Sequence, residues 1–175
     1  RENIARIIWL HPEDLDPEEK PAADESAATR VQALPADGNR LTFLAEQMVM
    51  TVGTIGPHGR PHLTALWYVP NGLGMTGWTY AKSQKAKNLE RDAHATVHVE
   101  SGVQYHELRG VMMECDVTLD PDAKAYGLAL FERYAGTLDE SVTSMVEKQA
   151  PKRVGLRFTP TKIVSWDHSK LGGTY

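Results

Sequence analysis

The sequence predicts a mainly β domain of the α+β class, built as a small barrel of six to seven short antiparallel strands with a few helices. Short segments rich in β-branched and aromatic residues follow one another closely along the body of the chain. Turn signals that contain Pro and Gly, such as "PHGRP" and "PNG", separate these segments. Few segments carry the apolar spacing of a helix. Many short strands with such punctuation are typical of small barrels.

The size and composition predict a single cytoplasmic domain. The chain has 175 residues, of which 41% are hydrophobic and 24% are charged. Its formal net charge of −4 argues against a general nucleic-acid binder, so any anion-binding site must be local. The single cysteine, Cys115, excludes an internal disulfide and fits a reducing cytosol. No segment approaches the roughly 20 apolar residues that span a bilayer, so we expect no membrane partner.

Residues 1–39 are predicted to form an extended or partly helical N-terminal arm. They contain four prolines among many Ala, Asp and Glu residues, and such a segment can bury little apolar surface. Its one apolar patch, "IARIIWL", includes Ile7, Ile8 and Trp9. We expect this patch to pack on the body or across a subunit interface. Residues 40–175 are predicted to form the folded domain.

The body is predicted to begin with a helix, three strands and a second helix. The first helix covers residues 41–47. Gly53 and Gly77 lie inside strands, where glycine usually marks a bend or a close approach of two backbones. The strand pattern ends near Ser83, and a helical pattern follows as far as residue 92. The three strands are 49–56, 61–69 and 74–81.

The second half of the body is predicted to contain four strands and one helix. Residues 123–134 carry the apolar spacing of a helix. The predicted strands are 94–100, 105–119, 153–159 and 161–167, followed by a tail. Alternation along the first of these strands predicts a polar face and an apolar face: His94, Thr96, His98 and Glu100 against Ala95, Val97 and Val99.

Several residues that could suggest a metal or catalytic site are better explained as ordinary residues of strand faces or of the core. His94 and His98 are predicted on a strand, where four residues span roughly 13 Å, so the two rings cannot share one zinc ion. Cys115 alternates with apolar residues, which favours a buried structural thiol over a nucleophile. Glu114 and Asp116 would face away from the core, and no motif supports an acid/base pair there.

A lysine-rich segment, "TYAKSQKAKNLERD" at residues 79–92, is unusual in a chain of negative net charge. Ser83 lies where a strand gives way to a helix, which is a preferred N-cap position. The first turn of a helix attracts anions, and acidic residues are the usual choice there. This turn offers Lys85 and Lys87 instead, with Lys82 just before it. Charge alone leaves two explanations open, a bound phosphate and a solvated lysine face.

Three segments in a fixed order resemble the flavin-binding split-barrel superfamily of pyridoxamine-phosphate oxidase and its relatives: "TVGTIGPHGRPHLTALWYV", "GWTYAKSQKAKNLERDAHATVHVE" and "RGVMMECDVTL". The resemblance covers residues 41–167 and implies an FMN-binding-type split β-barrel. In that superfamily a Gly-x-Pro turn, here residues 59–61, leads into a strand along the flavin ring, and a Ser-x-Lys turn binds the phosphate. The cofactor-binding residues implied by the resemblance are Arg60, Pro61, His62, Thr64, Ala65, Leu66, Trp67, Trp78, Thr79, Tyr80, Lys82, Ser83, Lys85, Lys87 and Asn88.

Departures from the oxidase pattern point to a different cofactor. His62 and Trp67 stand where the oxidase has an arginine and a lysine, and Gln84 replaces the arginine of its phosphate pair. The C-terminal Arg-x-His signature for the pyridoxal substrate is absent. The segments "PHGRPHLTALWY", "KAKNL" and "SWDHSKLGG" resemble best the subgroup that binds the deazaflavin coenzyme F420. The phosphodiester and oligoglutamate tail of F420 need several cations, and the available ones are Arg60, Lys82, Lys85 and Lys87.

The resemblance therefore implies an F420-dependent reductase that transfers hydride from reduced deazaflavin to a small organic acceptor. The protein would be a homodimer with its cofactor sites at the subunit interface. The sequence identifies no catalytic residue, although Tyr80, Tyr105 or His106 could supply a proton. Two alternatives remain open: an FMN-dependent reductase or oxidase of the same fold, and a non-catalytic protein that binds a cofactor or haem.

Overall fold

A computed structural model of the chain describes residues 38–171, which form one antiparallel sheet and four α-helices. The strands are β1 (Val49–Ile55), β2 (Pro61–Trp67), β3 (Val69–Asn71), β4 (Gly74–Tyr80), β5 (His94–Ser101), β6 (Arg109–Asp120) and β7 (Arg153–Asp167). The helices are α1 (Gly38–Glu46), α2 (Gln84–Arg91), α3 (Lys124–Ala135) and α4 (Glu140–Gln149). None of these helices is long and apolar enough to cross a membrane. The patch at Ile7, Ile8 and Trp9 lies outside the described residues, so its packing stays a prediction.

The seven strands form one sheet in the order β2-β1-β5-β6-β7-β4-β3, and every neighbouring pair is antiparallel. The sheet curls until β2, at one end, comes close to β4, the strand next to the other end. At that point a Cβ atom on Gly77 would lie 3.1 Å from the carbonyl oxygen of Trp67, so glycine permits the close approach. The predicted fold class, mainly β with seven antiparallel strands and a few helices, is confirmed.

Two groups of apolar side chains lie on opposite sides of β4. The larger group fills the inside of the curled sheet and includes Val52, Val97 and Leu156, all fully buried. The smaller group lies between the sheet and helices α3 and α4, with Trp78 packed against residues such as Leu130 and Val146. Alternate residues of β4 therefore face two different environments, because successive side chains of a strand point to opposite faces.

The last two predicted strands, 153–159 and 161–167, are one continuous strand. In the pairing of β6 with β7, Glu114 faces Lys162 while the next residue, Cys115, faces Pro160. Thr161 is therefore an extra residue in β7, and its hydroxyl donates to the carbonyl oxygen of Glu114 at 3.1 Å. Such a bulge accommodates Pro160, which has no N–H for the ladder, without ending the strand.

Two other predicted strands differ from the observed ones, and one helix was not predicted. The predicted strand 61–69 divides at Tyr68, which is fully buried and donates from its hydroxyl to the carbonyl oxygen of Leu44 at 2.7 Å. The predicted strand 105–119 begins only at Arg109, because Tyr105–Glu107 forms a 3₁₀ turn. Helix α4 was not predicted, since its segment is weakly apolar and its buried residue, Val146, packs against Trp78 and residues of α3 that are distant in sequence.

The predicted faces of β5 and β6 are confirmed. Ala95, Val97 and Val99 are buried while the alternate residues of β5 are more exposed. Cys115 is buried, and burial raises the pKa of its thiol to about 12. It is therefore a structural thiol, as predicted, and not a nucleophile.

Replacing Gly127 by alanine should destabilise the protein, although alanine is the better helix former. Helix propensity alone would favour the change by about 1 kcal/mol. A Cβ atom on Gly127 would, however, lie 2.6 Å from the Trp78 ring and 2.8 Å from Val146. Overpacking of this kind costs roughly 1–3 kcal/mol, so we expect a lower urea midpoint for Gly127→Ala. A higher midpoint would show that the packing of α3 on β4 is looser than described.

Candidate functional site

The turn from β4 into α2 positions the residues of the candidate site. Ser83 has extended backbone angles and caps α2, since its Oγ accepts from the N–H of Ala86 at 3.3 Å. The N–H of Lys87 bonds to the carbonyl oxygen of Ser83, while those of Gln84 and Lys85 have no bonding partner among the described residues. No acidic residue lies in the first turn of α2. The N-cap predicted at Ser83 is thus present, at a helix start that favours anions.

Lys85 is buried at this helix start without an opposite charge. The residue is 6% exposed, and its Nζ donates to Thr79 Oγ1 at 3.1 Å. None of the ion pairs formed within residues 38–171 includes Lys85. Burial, and then the nearby Arg153, lower the pKa of the Lys85 amine from its usual value. Because buried charges are normally paired, an anion bound here would complete the site.

The second turn of α2 connects this helix to β1. Asn88 is fully buried, and its Nδ2 donates to Thr54 Oγ1 of β1 at 3.0 Å. Its Oδ1 accepts from Nε2 of Gln84 at 2.8 Å. Thr54 lies directly opposite His62 in the pairing of β1 with β2. The sequence did not identify Thr54. Every second residue of β1 faces inwards, and the other two inward residues, Met50 and Val52, are apolar. A polar residue at the third inward position was the available signal.

Strand β2 presents a polar inner face to this region. His62, Thr64 and Leu66 face inwards, while Pro61 and Ala65 belong to the exposed face. His62 Nδ1 and Thr64 Oγ1 are buried without a hydrogen-bond partner. Because β2 lies at one end of the sheet, the described strands pair with only one of its two backbone edges. Side chains and backbone of β2 thus offer hydrogen-bonding groups to a ligand beside α2.

The aromatic residues assigned to the site pack elsewhere. Trp67 stacks on Tyr134 of α3, with ring centroids 4.2 Å apart. Trp78 is buried beneath α3 and α4. Tyr80 is half exposed, and the guanidinium of Arg153 lies 3.8 Å from its ring centroid. The structure therefore groups Thr79, Ser83, Lys85 and Asn88 with the inner face of β2, and places the three aromatic side chains on the side of α3 and α4.

Apart from Lys85, the predicted cations are exposed. Lys82 lies just before α2, and Lys87 lies about 200° around the helix from Lys85 and thus on its solvent face. Arg60 lies in the loop between β1 and β2. The N–H of Ala81 donates to the carbonyl oxygen of Lys152 at 3.1 Å, so the start of β7 lies beside the turn. Within the described residues, no ion pair includes any of the five cations Arg60, Lys82, Lys87, Lys152 and Arg153. The sequence had not associated the adjacent pair Lys152 and Arg153 with the site.

Residues 37–167 match the sequence model of the pyridoxamine 5'-phosphate oxidase family. This match covers most of the chain, and the chain therefore belongs to that family. The predicted resemblance and the split-barrel fold that it implied are confirmed. None of the curated proteins matches the chain significantly.

Solved structures with the same fold differ in what they do. A conserved hypothetical protein from Mycobacterium tuberculosis is 37% identical and superposes with a TM-score of 0.72, covering 80% of this chain and 89% of that chain. An F420 reductase is 23% identical with a TM-score of 0.59, over 70% of this chain and 94% of its own. The haem storage protein HutZ from Vibrio cholerae is 14% identical with a TM-score of 0.57, over 73% and 92%. The last two likenesses show the fold alone.

Replacing Lys85 by methionine should stabilise the ligand-free protein and weaken anion binding. The apolar side chain removes a buried, unpaired charge, while a charge-assisted hydrogen bond to a ligand phosphate is worth about 1.5–3 kcal/mol. We expect a higher thermal midpoint and an affinity for FMN or F420 at least tenfold lower for Lys85→Met. Lys124→Ala, which breaks an exposed ion pair with Glu147, should leave the affinity unchanged. Equal loss of affinity in both variants would contradict the site.

The stability difference between Lys85→Met and the wild type should depend on pH. The pKa of Lys85 is lowered in the folded protein, so the unfolded chain binds more protons between that lowered pKa and 10.5. The wild type therefore gains stability relative to the variant as pH rises through this window. Below this window Lys85 is charged in the folded protein, and the full cost of burying that charge destabilises the wild type. Above pH 10.5 the amine is neutral in both states, and this cost vanishes. Urea midpoints of both proteins between pH 7 and pH 10.5 would measure this trend. A difference between the two midpoints that grows as pH rises would contradict it.

Proposed function

We propose that this protein is an oxidoreductase that binds coenzyme F420 and transfers hydride from the reduced deazaflavin to a small organic acceptor. The observation that carries the proposal is the buried Lys85, which has Thr79 as its hydrogen-bond partner and no carboxylate within the described part of the chain. Membership of a family named for an oxidase supports the general class of reaction. The fold shared with an F420 reductase supports the choice of cofactor.

The residues at the site fit a cofactor that joins a phosphate to a planar ring. Lys85, the hydroxyls of Thr79 and Ser83, and the N–H groups at the start of α2 suit a phosphate. The unpaired edge of β2 and its buried polar atoms suit the rim of a ring that carries donors and acceptors. A buried cation with only a hydroxyl partner would be a net cost if no anion bound there.

The protein would contribute position and electrostatics to the reaction. When bound, reduced F420 supplies a hydride at C5 of its ring, and the cofactor thus carries the redox chemistry. Lys85 and the α2 start hold the anionic end, and β2 orients the ring. Tyr105 and His106 lie in the 3₁₀ turn between β5 and β6, at the opposite end of β5 from α2, whereas Tyr80 ends β4 beside the site. Of the three residues considered as proton donors, Tyr80 is the nearest along the chain to the turn that carries Lys85, but its ring lies on the side of α3 and α4 and not on the inner face of β2.

The exposed cations support F420 over FMN. FMN ends in one phosphate, which Lys85 and the helix start can satisfy. F420 continues into lactate and several glutamates, which a chain of net charge −4 would repel unless cations lay along the exit. Lys82, Lys87 and Lys152 surround the turn and form no ion pair within the described residues. These cations could therefore guide the anionic tail.

We also propose a homodimer formed through the outer face of β1 and β2. Leu63 is 66% exposed there, and Ile55, Val49 and Trp67 of the same face are each exposed by more than two fifths. An exposed apolar patch next to the end strand of a sheet favours association. A second copy of the chain would bury the same patch on both subunits.

F420 should bind more tightly than FMN at low salt, and the difference should shrink at high ionic strength. Exposed ion pairs are worth up to about 1 kcal/mol each and are screened by salt, so the preference should be a few kcal/mol at most. The double variant Lys82→Ala, Lys87→Ala should lose part of it. The control double variant Lys124→Ala, Lys162→Ala removes two cations that are paired with Glu147 and Glu114, and should keep it. Tighter binding of FMN at low salt would favour the FMN-dependent alternative.

Leu63→Glu should convert the dimer into a monomer. The new carboxylate would lie in the middle of the apolar patch and repel its copy on the other subunit. Light scattering at micromolar concentration should show twice the chain mass for the wild type and one chain mass for the variant, with unchanged circular dichroism. Val103→Glu, at an exposed residue of the loop between β5 and β6, should remain dimeric. A monomeric wild type would contradict the proposal.

A further inference from the structure

The charge of this chain is divided unevenly along its length. Residues 1–37 hold nine of the 23 acidic residues and four of the 19 basic ones, so their net charge is −5. The remaining residues, which include all those that the structure describes, carry +1. Seven of the nine acidic residues lie within residues 13–25, which contain one lysine and lie outside the described residues. Segments with a high density of like charge often bind a surface of opposite charge.

Three exposed lysines offer such a surface beside the turn between β4 and α2. Lys82 precedes α2, and Lys87 lies on the solvent face of this helix. Lys152 directly precedes β7, and its carbonyl oxygen accepts from the N–H of Ala81 in the turn at 3.1 Å. None of the three lysines forms an ion pair with another residue of the described range 38–171. We call these three residues the lysine patch.

The chain between the two charged parts is long enough to bring them together. Eighteen residues separate Glu19 from Gly38, where α1 begins. An extended chain of this length spans about 60 Å. A domain of the described size has a diameter of roughly 40 Å, so the acidic residues can reach any part of its surface. Because they are tethered, their effective concentration at the lysine patch is on the order of millimolar.

We propose that residues 13–25, the acidic segment, dock on the lysine patch of the same chain and compete there with the anionic tail of the cofactor. This inference rests on the proposed function, because it takes the lysine patch as the exit for the tail of F420. The acidic segment presents several side-chain carboxylates along one chain, which is also the chemistry of an oligoglutamate tail. Lys85 is only 6% exposed and stays available to the phosphate.

This competition makes the effect of the segment depend on the ligand. FMN ends in a phosphate, which Lys85 and the start of α2 bind, so it displaces nothing from the lysine patch. F420 must displace the acidic segment before its tail reaches the lysines. The apparent affinity for F420 is therefore lowered by the fraction of protein whose patch is free. Salt screens exposed charges, so this effect weakens at high ionic strength.

Crosslinking of the whole, ligand-free chain tests the docking itself. A water-soluble carbodiimide joins a carboxylate to an amine that is in contact with it. At low salt, mass spectrometry should find residues 13–25 joined to the lysine patch, in a product with the mass of one chain. Crosslinks spread equally to Lys124 and Lys162, which are paired with Glu147 and Glu114, would overturn the docking. A product of two chain masses would assign the contact to a second copy and overturn the intrachain proposal.

Neutralising part of the acidic segment tests the competition. The variant removes three charges from the whole chain: Asp16→Asn, Glu18→Gln and Glu19→Gln. At low salt it should bind F420 roughly three- to tenfold more tightly than the wild type, and FMN less than about twofold more tightly. At high ionic strength the variant and the wild type should bind F420 equally. Equal gains for FMN and F420 would overturn the competition with the tail.

A matched control separates docking from the effect of net charge. It removes the same number of charges from exposed residues that form no ion pair within the described body: Glu100→Gln, Glu132→Gln and Glu140→Gln. Its affinity for F420 should change by less than about twofold. A gain equal to that of the segment variant would overturn the inference.

The two experiments also separate this inference from the proposed function. If the wild type binds neither FMN nor F420, the proposed function and the competition fail together, and crosslinking alone decides whether the segment docks. If F420 binds the wild type and the segment variant equally at low salt, and no crosslinks to the lysine patch form, the docking fails and the proposed function stands.

Discussion

The burial of Lys85 beside Thr79 is the constraint on which the candidate site depends. A lysine at the positive end of a helix, 6% exposed and without a carboxylate within the described residues, costs stability. The protein tolerates this cost because α2 is held firmly on both sides. Ser83 joins its first turn to Thr79 of β4, and Asn88 joins its second turn to Thr54 of β1. These bonds place the amine where a phosphate would meet it.

Strand β4 makes this arrangement possible because it lies between two apolar groups. Trp78 is fixed by α3 and α4 on one side, so the next residue, Thr79, must face the inside of the sheet and α2. Helix α3 is itself tied to α1, since Arg133 donates to the carbonyl oxygens of Ala45 and Gln47. Helices α3 and α4 thereby help to set the position of Lys85 and of the candidate site. Their contribution is rigidity, which a binding site needs more than additional contacts.

The sequence predicted the elements that depend on local signals, and failed where distant contacts decide. The strand before Ser83 and the helix after it were predicted to within one or two residues, because the turn and the N-cap are local features. The predicted division between strands 153–159 and 161–167 was wrong. Pro160 is typical of a strand end in sequence, but the strand continues because Thr161 forms a bulge and bonds to Glu114 of β6. Helix α4 was missed because its apolar face is narrow and is defined by its contacts with α3 and Trp78.

By itself the sequence determined the fold class, the family resemblance and the lysine-rich helix start, because hydrophobic alternation, turn residues and capping residues act over a few positions. Only the tertiary structure decided which lysine is buried and which is solvated: Lys85 and Lys87 look alike in sequence, but they lie on opposite faces of α2. It also decided that Trp67 packs on Tyr134, and that His62 and Thr64 face inwards without partners. Burial and unsatisfied hydrogen bonds depend on which strands and helices meet, and residues far apart in the chain determine that.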